Sequence, residues 1–270
     1  MSNEVAKTIV VIGAGPGIGL AVGRRWGRDG YRVALVARNA ERLAGFVEQL
    51  TAEGITASAH ATDITDLVAL RATLTEIEQR HGAIHTLYYG PPATSGTMCA
   101  PRDITVEKLA PMIDLLNGAV AAVGYVLPGM LERRDGALLF CMPMSAIDPV
   151  LFSSNYAMAC AAIRNYVQSL YVDVASQGVY VGAVPIAGLI IEGDSERAKS
   201  LDVTARRPGD RAWDEYRVFH EDLAAHITSG QVADTFWDLA TERDRYEEIL
   251  GNPAICERLR EQALIGTPAS

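Results

Sequence analysis

Apolar residues in this chain fall into short solid runs separated by amphipathic stretches. Ile9–Ile12 is one such run, β-branched and brief, as in a strand covered on both faces, and Leu20–Asp29 behind it has helical spacing. The alternation continues through strand Arg32–Ala37, helix Glu41–Glu53 with Gly54 as its stop, strand Thr56–Ala61, helix Leu67–His81 and strand Ile84–Tyr89. Helix Val106–Glu132, strand Ala137–Met142, helix Tyr156–Gln177 and strand Val179–Val184 follow. Strands alternating with helices predict an α/β fold, a doubly wound parallel sheet flanked by helices with right-handed crossovers. No repeat, low-complexity tract or Pro/Gly linker divides the chain, so residues 1–270 read as a single domain.

Beyond Ile191 the pattern gives way to a charged stretch, Glu192–Asp214. It follows the carboxyl end of a strand, where such sheets bind ligands, and this predicts a small substrate lid over about residues 190–230. Trp213–Ile227 is expected to be the lid's helix, Gln231–Tyr246 a further helix and Gly251–Ser270 a polar tail.

Between the first strand and its helix lies a glycine turn. Gly13, Gly17 and Gly19 fit the form G-x-x-x-G-x-G, whereas G-x-G-x-x-G fits Gly13 and Gly15 but fails at Ile18. A strand, a glycine turn and a helix N-terminus together bring backbone N–H groups to an anion and set a helix dipole behind it. The stretch therefore predicts a phosphate cradle for a nucleotide in a Rossmann-type fold.

Composition narrows the partners. A net charge of −9 opposes nucleic acid and anionic membranes, which leaves a small-molecule substrate. The four cysteines are scattered without metal spacing, and the chain enters its first strand within eight residues; both features predict a cytoplasmic protein. The apolar window Met112–Met130 contains Asp114, Asn117 and Pro128, so a buried core helix is expected rather than a membrane span. The five histidines show no metal spacing.

Taken together, these residues resemble the short-chain dehydrogenase/reductase family over roughly residues 5–250. The carriers are the turn Gly13-x-x-x-Gly17-Ile18-Gly19, Arg38 directly after the second strand, Asp63-Ile64 after the third, Leu127-Pro128-x-Met130, Gly136, and Gly178-Val179-Tyr180-Val181. The resemblance implies a bound dinucleotide held by Gly13, Gly15, Gly17, Ile18, Gly19, Arg38, Asn39, Asp63, Ile64, Gly90 and Ala187. Arg38 in the 2′-phosphate position, with Ala37 where NAD-preferring members carry an acid, implies NADP(H). It also implies a homo-dimer or homo-tetramer built on the two long helices, whose runs Ala119–Val123 and Ala157–Ala162 suit such packing or could equally face the sheet.

The departures concern the chemistry. Of the family's Asn-Ser-Tyr-Lys tetrad only Tyr156 stands in place; the lysine position is Cys160, the serine position Pro143 with Ser145 two residues on, and the asparagine position Leu115. Tyr89-Gly90-Pro91-Pro92 replaces the usual Asn-Asn-Ala-Gly. An unassisted tyrosine has a pKa of about 10, so roughly one in a thousand is phenolate at pH 7. Alcohol oxidation, which needs the phenolate, loses most; carbonyl reduction, which needs the phenol, keeps its acid. Two function classes follow. One is an NADP(H)-dependent oxidoreductase with an atypical site that reduces a fairly apolar carbonyl or enone, with Tyr156 and Ser145 catalytic. The other is a redox-silent relative, either a cyclase, isomerase or dehydratase using Tyr156 or an NADP(H) sensor. Ser153, Ser154 and Asn155 are candidates either to cap the helix begun by Tyr156 or to point at a substrate.

Overall fold

A computed structural model describes residues 6–93, 98–190 and 225–259. Its centre is an eight-stranded parallel sheet. Strands β1 (Thr8–Ile12), β2 (Arg32–Ala37) and β3 (Ala57–Ala61) run to one side, and β4 (Ile84–Tyr89), β5 (Gly136–Pro143) and β6 (Val179–Ile190) to the other, in the order β3-β2-β1-β4-β5-β6. Two short strands, β7 (Ala225–Ile227) and β8 (Leu250–Gly251), both pair with β6. Every residue of β1 is buried, as its solid apolar run requires of a strand sandwiched between helical layers.

Helices α1 (Ile18–Arg28), α2 (Ala40–Ala52), α3 (Leu67–His81), α4 (Val106–Arg133), α5 (Ser154–Val174) and α6 (Ser229–Glu242) cover both faces. One face holds Leu74, Ile77, Ala119, Val126 and Val167 from α3, α4 and α5, and the other Trp26, Phe46 and Phe236 from α1, α2 and α6. Helix α4 is long and apolar enough to cross a bilayer, yet Met112, Leu115, Ala119, Ala122, Val123 and Val126 pack into the core. Ala119, Ala122, Ala157 and Ala159 likewise face inward, leaving Val120, Met158 and Ala161 exposed from the two runs of small residues.

Four expectations need correction. Strand β6 continues through Pro185 to Ile190, six residues past Val184, because β5, β8 and β7 supply partners along its length. Ala225–Ile227 is a strand, not the end of a helix from Trp213; most of the expected lid lies outside the described residues. Helix α6 stops at Glu242, where Arg243 takes a left-handed conformation at φ 55°. Finally, residues 251–259 are no solvated tail: Ile255, Cys256 and Leu259 are buried against Ala100, Met144, Val150, Phe152 and Ala187. Residues 260–270 lie outside the described residues.

Candidate active site

The parallel strands bring their carboxyl ends to one edge of the sheet, and the glycine turn sits there between β1 and α1. Gly13 has φ +91° and hands its N–H to Val36 O at 3.0 Å; a Cβ on it would lie 2.6 Å from the backbone of Gly90 and Pro91. A Cβ on Gly19 would lie 2.7 Å from Gly13 O, so the first helical turn can sit on the loop only without a side chain there. Gly15 is different, for nothing but Gly13 O comes within 4.0 Å of its Cβ position, and the turn is open at this point. Gly17 caps α1 with no side-chain hydrogen bond, and no acid occupies the first turn. The amides of this helix start therefore meet no acid from their own first turn that would compete with an anion.

Arg38 and Asn39 follow β2 at the same edge, and Asp63 and Ile64 follow β3. Arg38 is exposed, and its charge, after hydrogen bonds from the Thr65 backbone and hydroxyl, helps hold the Asp63 carboxyl below its ordinary range. Those two bonds, 3.0 and 2.9 Å, fix Asp63 Oδ1 in a turn. Asn39 caps α2 by accepting the Arg42 N–H at 2.8 Å. Ala187 stands apart from the cradle: it is fully buried and its carbonyl accepts the Asn252 N–H at 2.9 Å.

Beside the cradle opens a cavity of about 300 Å3. It gathers Ile18 and Gly90 from the turns, Tyr156 from α5, and Ser145 from the short 3-10 turn Met144–Ala146 after β5. Ser145 is buried, and its Oγ has no hydrogen-bond partner among the described residues. Sequence reasoning did not reach the apolar wall, which includes Met98, Met142, Met144, Phe152, Ile190 and Ile255. Among the described lining residues none is charged.

Helix α5 begins at Ser154, earlier than expected, and the expected capping does not occur. Ser153 makes no side-chain cap, and Ser154 Oγ donates to Val150 O and Leu151 O at 2.9 and 3.0 Å. Asn155, fully buried, instead ties two distant segments together by accepting from Cys99 N at 3.0 Å and donating to Lys108 O at 3.1 Å. Asn117 is exposed and donates weakly to Asp114 at 3.5 Å, so it does not reach the cavity.

Behind Tyr156 the interior is filled with phenols and thiols. Tyr156 and Cys160 lie one turn apart on α5, near enough for each to act on the other's ionisation, and Cys141 and Tyr89 stand within electrostatic range. Tyr89 donates to Leu115 O at 2.6 Å; a Cβ on Gly118 would lie 2.8 Å from that hydroxyl. Burial pushes the Tyr156 phenol well above its ordinary value, and Cys160 and Cys141 push it further. The same burial lifts the Cys160 and Cys141 thiols to about 12. No cation from the described residues contributes to the Tyr156 shift. This is a phenol held firmly in its protonated form.

The residues fit the dinucleotide that the resemblance implies. The cradle leaves no room for side chains at Gly13 and Gly19 and stays open at Gly15, and an exposed guanidinium stands at the end of β2. Ser145 and the Tyr156 phenol line one cavity next to it.

Residues 7–196 match the family model described as short chain dehydrogenase. An uncharacterized oxidoreductase of Staphylococcus aureus is 28% identical over 181 residues, 66% of this chain and 76% of that protein. Among solved structures, L-sorbose reductase from Gluconobacter frateurii, complexed with NADPH and L-sorbose, superposes with a TM-score of 0.77 at 24% identity, covering 91% of this chain and 95% of its own. A short-chain oxidoreductase from Pseudomonas aeruginosa containing an atypical catalytic center gives 0.75 at 24% identity, with 90% and 94% covered. These two likenesses carry the fold, and the family model carries the kinship: the chain belongs to the short-chain dehydrogenase/reductase family of oxidoreductases.

Proposed function

We propose that this protein is an NADP(H)-dependent oxidoreductase that reduces the carbonyl, or enone, of a small to medium, fairly apolar substrate, with Tyr156 as proton donor. The single observation that carries the direction is the neutral surrounding of Tyr156, where Cys160 takes the place of a cation. A phenol that stays protonated at every physiological pH is competent as an acid and almost absent as a base. Ser145 Oγ, buried and unpartnered, supplies a second donor for the substrate oxygen. The glycine cradle would hold the pyrophosphate, Arg38 the 2′-phosphate, and Asp63 and Ile64 the adenine side. NADPH, when bound, supplies the hydride for the carbonyl carbon. Tyr156 gives its proton to the carbonyl oxygen as that oxygen gains charge, Ser145 steadies the same oxygen, and the alcohol leaves.

One observation favours a redox-silent reading. No cation among the described residues stabilises a Tyr156 phenolate once its proton has gone, so the phenol suits a reaction in which it lends and recovers a proton, such as an isomerisation. Titration of NADPH fluorescence followed by a carbonyl panel, with Tyr156→Phe in parallel, separates the two. The reductase reading expects NADPH oxidation that collapses in the variant. Binding without turnover, or turnover indifferent to Tyr156, overturns it. Exposed Val120 on α4 and Met158 and Val172 on α5 support association of copies through these helices, which light scattering would read.

A further inference from the structure

Residues 250–259 do more than finish the sheet. Gly251, at φ +109°, lies so close to β6 that a Cβ on it would meet Ala187 O at 2.4 Å. The segment before it is pinned by a two-point ion pair, Arg164 to Glu247 at 2.6 and 2.7 Å, with both side chains largely buried. Arg164 lies one turn beyond Cys160 on α5, so the helix that presents Tyr156 also sets the position of this segment. Anchored on both counts, Ile255 and Cys256, 0% and 2% exposed, form part of the cavity wall.

Resting on the reductase reading, we propose that the cavity takes an uncharged ketone with few or no hydroxyl groups, and that the C-terminal segment, through Ile255 and Cys256, sets how large that ketone can be. The hydrogen-bonding groups on the described wall are sparse. Ser145 and Tyr156 are spent on one carbonyl oxygen, which leaves the Ser153 hydroxyl and the thiols of Cys141 and Cys256 as the other polar side chains of the described lining. Around them Met142 and Met144 offer flexible, polarizable surface that moulds to flat apolar bodies. Each additional substrate hydroxyl buried here without a partner costs roughly tenfold in affinity. An ionised substrate is penalised more heavily, since no counter-charge is present among the described lining residues.

The test uses the full chain with NADPH and compares α-tetralone with a ketohexose and a 2-keto acid, following NADPH oxidation. The inference expects kcat/KM at least about a thousandfold higher for the tetralone, from several unpaired hydroxyls at roughly tenfold each. A ketohexose or keto acid turned over as well as the tetralone overturns it while leaving the reductase reading intact. Calorimetric binding of the same compounds to the NADP+ complex reads the cavity without turnover: preference for the tetralone supports the inference even if no ketone is reduced, and equal or absent binding overturns it. For the wall, Ile255→Ala is expected to raise the kcat/KM of a bulkier diaryl ketone relative to α-tetralone at least tenfold, with NADPH affinity unchanged. Cys256→Ala should move the same ratio in the same direction, by less. A ratio unmoved in both folded variants overturns the role of the segment.

Discussion

The glycine cradle and the pocket behind Tyr156 lie at the same sheet edge and are built on opposite principles. The cradle works through what is missing: no side chain at Gly13 and Gly19, no side-chain cap and no acid at the start of α1, so backbone amides and a dipole face open space. The pocket works through what has been packed in. Tyr89, Cys141 and Cys160 crowd the space behind the phenol, and every one of them is neutral. One region is laid out to attract charge and the other to refuse it. A family resemblance read from the glycines alone merges the two, although each can change without the other.

The comparison breaks most sharply at Gly19. Gly19→Val would drive side-chain carbons into Gly13 O and Ala14 Cα, which a bare Cβ would meet at 2.7 and 2.9 Å. NADPH binding is expected to fall at least about a hundredfold by fluorescence titration, with the melting temperature also reduced. Next comes Tyr156→Phe, which should lower carbonyl reduction about 100- to 1,000-fold in kcat while leaving NADPH affinity within about twofold. A variant that lost both together would mean that the regions are not separable.

Arg38→Ala comes third. Removing a guanidinium from a phosphate dianion should weaken NADPH by about 10- to 100-fold and leave NADH nearly unchanged, as competitive titrations would read. Fourth is the pH profile of reduction. Because burial holds the Tyr156 phenol well above its ordinary value, its proton stays in place as pH rises, and no alkaline loss from phenol ionisation should appear up to about pH 10. An inflection near pH 7 in kcat would place a cation beside the phenol. Smallest is an effect away from the edge. His60 and His81 flank Ser58 Oγ at 3.0 and 2.9 Å, and burial lowers the pKa of both rings. The unfolded chain therefore binds more protons below about pH 6.5, and stability should fall as pH drops through that range. Thermal melts at pH 7 and pH 5 check it, with Ser58→Ala and its broken histidine pair as comparison.

Much of the fold is legible in the chain because strands buried on both faces must be solidly apolar, as β1 is from Ile9, β2 from Val33 and β5 from Ala137. The cradle is legible because only glycine tolerates those contacts. The catalytic departures at Cys160 and Pro143 are visible by counting, but counting cannot say what fills the space that a lysine would take. The placing of Tyr89 near Cys160, with its hydroxyl bonded to Leu115 O, is seen only in three dimensions. The wall at Ile255 and Cys256 is hidden for another reason. Three apolar residues among Asn252, Glu257 and Arg258 have too little period to register as a buried turn. Pro185 hides the length of β6, since proline normally argues against a strand interior.

The strand order carries a consequence for how the chain reaches this state. β1 pairs with β2, some twenty residues on, but also with β4, where Thr8 meets Ile84 and Ile12 meets Tyr89. The contact between Gly13 and Gly90 closes only with that second pairing. On a ribosome delivering residues in order, the first strand made waits until Tyr89 has emerged before its other edge is covered. Later still, α1 receives α6 through the Trp26–Trp237 edge contact at 5.1 Å, across more than two hundred residues of chain. Such long-range closure slows folding and leaves the β-branched edge of Ile9–Ile12 exposed in the nascent protein. The region laid out for the dinucleotide's phosphates is among the last to be finished.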